Sequence, residues 1–112
     1  MSDSKDYKIY LKDIKKSIEK IESYVKGFDY KKFKENELVV DGVIRNLAII
    51  GEAVKNLPLD FREENKEIEW KKIIGFRDVL IHAYSGVDLE IVWDVVENKL
   101  GELKKIAERG LK

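Results

Sequence analysis

Apolar residues recur at alternating steps of four and three along much of this chain, and this spacing restricts it to helical folds. In the first quarter they are Tyr7, Leu11, Ile14, Ile18, Ile21 and Val25. The spacing places these side chains on one face of an α-helix and leaves lysines and acids on the opposite face. The pattern predicts a first helix over Ser4–Tyr24, with Gly27 as its stop.

The same spacing predicts three more main helices and one short one. The second helix is expected over Glu37–Asn56, ending before Pro58, and a short helical turn capped by Asp60 over Leu59–Asn65. The third main helix is expected over Glu67–Ala83. The last is expected to begin after its cap at Asp88, to run to Arg109 and to end at Gly110. The segment from Phe28 to Asn36 is predicted to be a polar connection rich in lysine. Because short connections make neighbouring helices antiparallel, the expected fold is an all-α antiparallel bundle of four main helices plus a short extra helix.

The second predicted helix is apolar over an unusually wide arc. Its stripe consists of Val40, Val43, Leu47, Ile50, Val54 and Leu57, and Leu38, Ile44 and Ile49 widen it. A helix of this kind is buried on more than one side, which predicts contacts with a second subunit in a two-fold homodimer. Gly51 lies inside this helix, where glycine costs about 1 kcal/mol relative to alanine. A close helix crossing is the expected compensation.

Length and composition exclude several classes of protein. A chain of 112 residues predicts one domain over 1–112, and its 22 basic and 22 acidic residues cancel, so any contact with RNA must be local. With one histidine, no cysteine and scattered acids, we expect neither a metal site nor a disulfide. No glycine-rich phosphate loop is present, so we expect no cofactor. Without a membrane-spanning run or a signal peptide, the expected location is cytoplasmic.

The stretch from Trp70 to Tyr84 adds chemistry to the helical pattern. It places Arg77, Asp78, His82 and Tyr84 among apolar residues, near the end of a predicted helix. Asp78 precedes His82 by one helical turn, so the two side chains share a face and can hydrogen-bond. Histidine exchanges protons near neutral pH, and the planar guanidinium of arginine suits phosphate. These groups indicate acid–base chemistry beside a phosphoryl group, although a lone histidine on such a helix can also be structural.

This stretch resembles the signature of the HEPN superfamily, R-x-x-x-x-H followed by x-Y. The wider pattern, W-x-x-I-x-G-F-R-D-x-L-I-H-x-Y-x-x-V-D-x-x-x-V-W, resembles the HepT-like branch, which accepts an aspartate after the arginine. The segment from Arg45 to Ala53 is similar to the second helix of that branch. The resemblance implies a HEPN-like helical bundle over nearly the whole chain.

The resemblance also implies a metal-independent endoribonuclease, in which the RNA 2′-OH attacks its own phosphate. His82 is then the expected general base or acid, Arg77 the clamp on the phosphorane charge, and Asp78 a group that orients His82 or positions the substrate. Cleavage needs two proton transfers, and HEPN ribonucleases meet this need by pairing two motifs in one dimer cleft. Phe76, Tyr84 and Trp93 are candidates for stacking on bases, with core or dimer packing favoured for Phe76 and Trp93.

HepT-like proteins resemble the toxin of toxin–antitoxin pairs of the HepT/MntA type, whose antitoxin is a minimal nucleotidyltransferase. In this family the tyrosine at the Tyr84 position is a target for adenylylation, which implies a modified and blocked cleft. The alternative for Tyr84 is structural, a hydroxyl bonded to the end of the helix. Two other functions stay open: a catalytically silent nucleotide-binding or adaptor subunit of a nucleotidyltransferase complex, and a purely structural helical dimer.

Glu52 and Arg45 are candidates for a supporting role around the motif. Glu52, flanked by small residues, can reach the motif from across the bundle. A plain structural ion pair of Glu52 with Arg45 or Lys55 is at least as strong an expectation.

Overall fold

The chain forms a bundle of α-helices. The computed structural model describes residues 7–82 and 86–112, and within them seven helices follow one another: α1 (Lys8–Tyr24), α2 (Tyr30–Glu35), α3 (Glu37–Lys55), α4 (Leu59–Glu64), α5 (Trp70–His82), α6 (Leu89–Asn98) and α7 (Leu100–Leu111). These residues include no strand, so the predicted all-α class is confirmed. Among the helices of these two ranges, none combines the length and the apolar character that crossing a membrane requires.

Helix α1 lies in the middle of the bundle, against α3 and α7. Its predicted stripe is confirmed, since Leu11, Ile14, Ile18 and Ile21 are all fully buried. Both neighbours run antiparallel to α1. Tyr24, at the end of α1, contacts Gly42 near the start of α3. At α7, Lys104 in the first half pairs with Glu22 late in α1, at 2.9 Å, and this hydrogen bond raises the pKa of Lys104.

The predicted polar connection from Phe28 to Asn36 is wrong, because it contains helix α2. Asp29 caps that helix, its Oδ1 accepting a hydrogen bond from the backbone N–H of Lys32 at 2.8 Å. Phe33 then anchors the helix: its ring is fully buried and stacks against Trp93 of α6, with ring centroids 5.0 Å apart. Phe28 and Tyr30 also pack on the core, so a cap and a few apolar contacts order a segment whose other side chains are mostly charged.

The predicted last helix is divided in two at Lys99, and Gly110 does not end it. The break lies between Asn98 and Gly101, two residues of low helix propensity, and it separates α6 from α7. Gly110 continues α7 because that helix approaches α1 closely there. A Cβ at this position would lie 2.5 Å from the Cδ1 atom of Leu11. The glycine serves packing and not termination.

The segment before the motif helix also differs from the prediction. Asp60 does not cap α4: Pro58 is the N-cap residue, and the Asp60 carboxylate accepts from the N–H of Phe61. Helix α5 begins at Trp70 and not at Glu67. The Trp70 indole is buried and donates from Nε1 to the carbonyls of Arg62 and Asn65, each at 3.0 Å. This anchor fixes the start of the helix that carries the motif.

Candidate functional site

The candidate catalytic residues lie on the second half of α5. Leu80 is buried and holds this half of the helix on the bundle, while Arg77 is partly buried and Asp78 and His82 are exposed. His82 is the last residue of the helix. Tyr84 lies outside the described residues. The helix thus presents an arginine, a carboxylate and an imidazole toward solvent within two turns.

Arg77 is fixed where α5 crosses α3. A Cβ on Gly51 of α3 would lie 2.3 Å from the Cβ and 2.7 Å from the Cγ of Arg77. These distances are far shorter than a normal carbon–carbon contact of about 3.5–4.0 Å. The close crossing predicted for Gly51 is therefore confirmed. At Gly51, α3 packs against α5, the helix that carries the motif.

Two carboxylates bracket the guanidinium of Arg77. Its Nη2 atom lies 2.7 Å from Oε1 of Glu52 on α3, and its Nη1 atom lies 2.9 Å from Oδ1 of Asp78 on α5. The Arg77 side chain is 21% exposed, against 52% for Glu52 and 59% for Asp78. Among the described groups, the buried Nε of Arg77 finds no acceptor. Each terminal nitrogen of the guanidinium thus has a carboxylate beside it, and both carboxylates are open to water.

Glu52 pairs with the motif and not with its own helix. Its carboxylate reaches across the bundle to Arg77, and among the described residues neither Arg45 nor Lys55 forms an ion pair with it. Arg45 is exposed on α3.

Asp78 and His82 are not joined by a hydrogen bond, although both are described and lie one turn apart. Asp78 instead binds its neighbour Arg77. The catalytic roles of these residues stay predictions.

The sequence did not predict that Asp78 pairs with Arg77. Adjacent side chains on a helix diverge, and the i, i+4 relation favoured His82 as the partner. The sequence feature that could have indicated this pair is the length and flexibility of the arginine side chain. Its guanidinium can turn back to a neighbouring carboxylate even when the start of the side chain is held in place.

Two of the three candidate stacking aromatics pack inside the protein. Trp93 is buried against Phe33, and Phe76 packs on the core, so the favoured packing role is confirmed for both.

Within the two described ranges, no group of three or more acidic or histidine side chains is arranged to hold a metal ion.

Comparison with known proteins matches the chain to one family. The model of the ribonuclease HepT-like family matches residues 14–110. A Methanocaldococcus jannaschii protein, named as a gamma-glutamylcyclotransferase and proposed RNase, is 48% identical over 101 residues. This alignment covers 90% of the chain and 46% of that relative, so the chain spans about half of its length.

Two further relatives are similar over most of their length. A proposed RNase of Caldanaerobacter subterraneus subsp. tengcongensis is 42% identical over 96 residues, which is 86% of each protein. A protein of Thermococcus cleftensis, named as a probable ribonuclease HepT, is 41% identical over 100 residues, covering 89% of the chain and 91% of that relative. A comparison with solved structures finds no match.

Proposed function

The chain belongs to the ribonuclease HepT-like family, and on this premise we propose that it is a metal-independent endoribonuclease acting through Arg77 and His82. Relatives that are named as RNases support the reaction class. The observation that carries the proposal is the geometry of Arg77. Its base is fixed by the crossing with Gly51, while its guanidinium reaches the surface of the helix that also exposes His82.

In the proposed reaction, the 2′-oxygen of a nucleotide attacks the adjacent phosphorus. The O2′–P bond forms and the bond from phosphorus to the 5′-oxygen breaks, which leaves a 2′,3′-cyclic phosphate and a 5′-hydroxyl. One proton leaves the 2′-OH and one reaches the departing 5′-oxygen, and His82 serves as base or acid. Arg77 stabilises the added negative charge on the phosphorane. Because these groups supply both proton transfer and charge stabilisation, the step needs no metal ion.

We further propose that two copies of the chain share one cleft. One chain offers a single histidine, whereas cleavage requires two proton transfers. The outer face of α5 exposes Val79 and Ile81, each 47% accessible, on either side of the buried Leu80. On α3, the apolar residues Leu38 and Ile49 are likewise exposed. A two-fold partner covering apolar surface on α5 would bring a second His82 toward the first motif.

The proposed regulator is a minimal nucleotidyltransferase antitoxin that adenylylates Tyr84. This tyrosine follows His82 by two residues, so an attached AMP would carry its phosphate and base close to the catalytic histidine. Incubation with the nucleotidyltransferase and ATP should add AMP to the intact protein and abolish RNA cleavage. The Tyr84→Phe variant should gain no mass and should stay active.

The chemistry is tested with an RNA oligonucleotide in EDTA and an analysis of the product ends. We expect cleavage to give 2′,3′-cyclic phosphate and 5′-hydroxyl ends. A single 2′-deoxy substitution at the cleaved nucleotide should abolish cleavage there, because it removes the nucleophile. Products with 5′-phosphate ends, or activity that requires an added divalent cation, would contradict the proposal.

A further inference from the structure

We infer that Glu52 occupies the phosphate-binding edge of Arg77 in the free protein and must give way when an RNA phosphate binds. The inference deepens the proposed function and rests on it for the identity of the substrate. It assigns Glu52 as a positioning residue, which acts on RNA through Arg77 and sets how tightly the motif binds its substrate.

The charges around Arg77 favour such an exchange. Glu52 and Asp78 lie 2.7 and 2.9 Å from the two terminal nitrogens of the guanidinium, so one positive charge faces two negative ones. A phosphate that approaches this cluster meets a net negative charge, and each terminal nitrogen already has a carboxylate beside it. Moving one carboxylate away removes that repulsion and frees the terminal nitrogens for the two parallel hydrogen bonds that arginine offers to phosphate.

The base of the Arg77 side chain is held in place, which limits how far its guanidinium can move to meet the phosphate elsewhere. The Cβ and Cγ atoms of Arg77 pack directly on the backbone of α3 at Gly51, and its Nε is buried. Glu52, by contrast, is 52% exposed and has rotatable bonds that can carry its carboxylate into water. The exchange therefore takes place on the carboxylate side of the ion pair.

Of the two carboxylates, Glu52 is the one that we expect the phosphate to displace. It comes from a different helix, α3, whereas Asp78 lies beside Arg77 on α5. While Glu52 is paired, it orients the guanidinium and shields it from other anions. Neutralising Glu52 should remove the competitor and leave the base of Arg77 in place, because Gly51 fixes that base.

The inference is tested by the binding of a fluorescent RNA with 2′-O-methyl groups, which cannot be cleaved, at low salt. Glu52→Gln keeps the shape and the acceptor oxygen of the side chain but removes its charge. An exposed ion pair has a small effect, so we expect this variant to bind the RNA roughly 2- to 5-fold more tightly than wild type. In cleavage assays the same gain should lower KM, with kcat changed by less than about 2-fold.

Two further variants separate this effect from a general change of charge. Glu22→Gln removes an equally exposed carboxylate, 49% accessible, from its ion pair with Lys104 on the α1–α7 side of the bundle, and should leave binding unchanged. In the Arg77→Ala background, Glu52→Gln should give no gain, since the competition requires the arginine. Equal or weaker binding by Glu52→Gln, an equal gain in Glu22→Gln, or a gain that persists without Arg77 would overturn the inference.

The outcome also distinguishes this inference from the proposed function. If Glu52→Gln binds RNA more tightly through Arg77 but neither wild type nor this variant cleaves RNA, the ribonuclease proposal fails and the exchange at Arg77 stands. If wild type cleaves RNA in EDTA and Glu52→Gln shows no gain in binding, the ribonuclease proposal stands and the exchange is wrong.

Discussion

Replacing Gly51 with alanine should impair activity far more than it impairs folding. The added methyl group would lie 2.3 Å from the Cβ of Arg77, whereas carbon atoms in contact are about 3.5–4.0 Å apart. The two atoms must therefore separate by at least about 1.2 Å. No rotation of the Arg77 side chain relieves the clash, because its Cβ is fixed by the backbone of α5. The helices themselves have to move apart.

The expected loss of stability is small because two effects oppose each other. Overpacking of a helix contact costs about 1–3 kcal/mol, while alanine gains about 1 kcal/mol over glycine inside a helix. The free energy of unfolding should therefore fall by about 0–2 kcal/mol. A displacement of about 1 Å at a catalytic group can cost about 100-fold in rate, and we expect a loss of that order in RNA cleavage.

The assay compares urea unfolding with RNA cleavage for Gly51→Ala and two matched controls. Gly75 on α5 and Gly101 on α7 are also helical glycines, and a Cβ at either position meets no atom within 4 Å. Alanine at these sites should raise the free energy of unfolding by about 0.5–1 kcal/mol and preserve activity. If Gly51→Ala is as stable and as active as these controls, the close crossing does not position Arg77.

Three further substitutions test the fold by urea unfolding. Phe33→Ala should lower the free energy of unfolding by about 3–5 kcal/mol, because it removes a fully buried ring that stacks on Trp93. A loss below about 1 kcal/mol would refute the anchoring role of Phe33. Asn36→Ala should lower the free energy of unfolding by about 1 kcal/mol, because Asn36 Oδ1 caps α3 by accepting a hydrogen bond from Val39 N–H at 3.1 Å. An unchanged midpoint of the urea transition would exclude that cap. Gly27→Ala should cost about 1 kcal/mol, because the glycine has a φ of +79°, and a stabilised variant would contradict this backbone assignment.

The sequence predicted the fold wherever apolar periodicity was long and regular. The stripe of α1 extends over five turns, and its core positions are buried as expected. The prediction failed where a short segment depends on tertiary contacts. Helix α2 packs through Phe33 against Trp93, two residues that are far apart in the chain and that no local pattern connects. The prediction of one continuous last helix also failed, at Lys99, between Asn98 and Gly101, two residues of low helix propensity.

The candidate site was predictable in its residues but not in its contacts. Arg77, Asp78 and His82 follow from a motif, and Gly51 signalled a close crossing because glycine inside a helix needs a reason. The partner of that crossing could not be read from the sequence, since it depends on how α3 and α5 are rotated against each other. For the same reason the pair between Glu52 and Arg77 was one of several alternatives until the helices were placed.

Arg77 and His82 are proposed to cleave RNA without a metal ion. The most direct measurement is cleavage by purified protein in EDTA, with intact mass confirming that Tyr84 is unmodified. Arg77→Ala and His82→Ala are compared with Arg109→Ala, which removes a surface arginine paired with Glu67, and all are checked for folding. We expect wild type and Arg109→Ala to cleave the RNA, and Arg77→Ala and His82→Ala to cleave it at least about 100-fold more slowly. Cleavage that survives both Arg77→Ala and His82→Ala, or no cleavage by folded and unmodified wild type, would contradict this proposal.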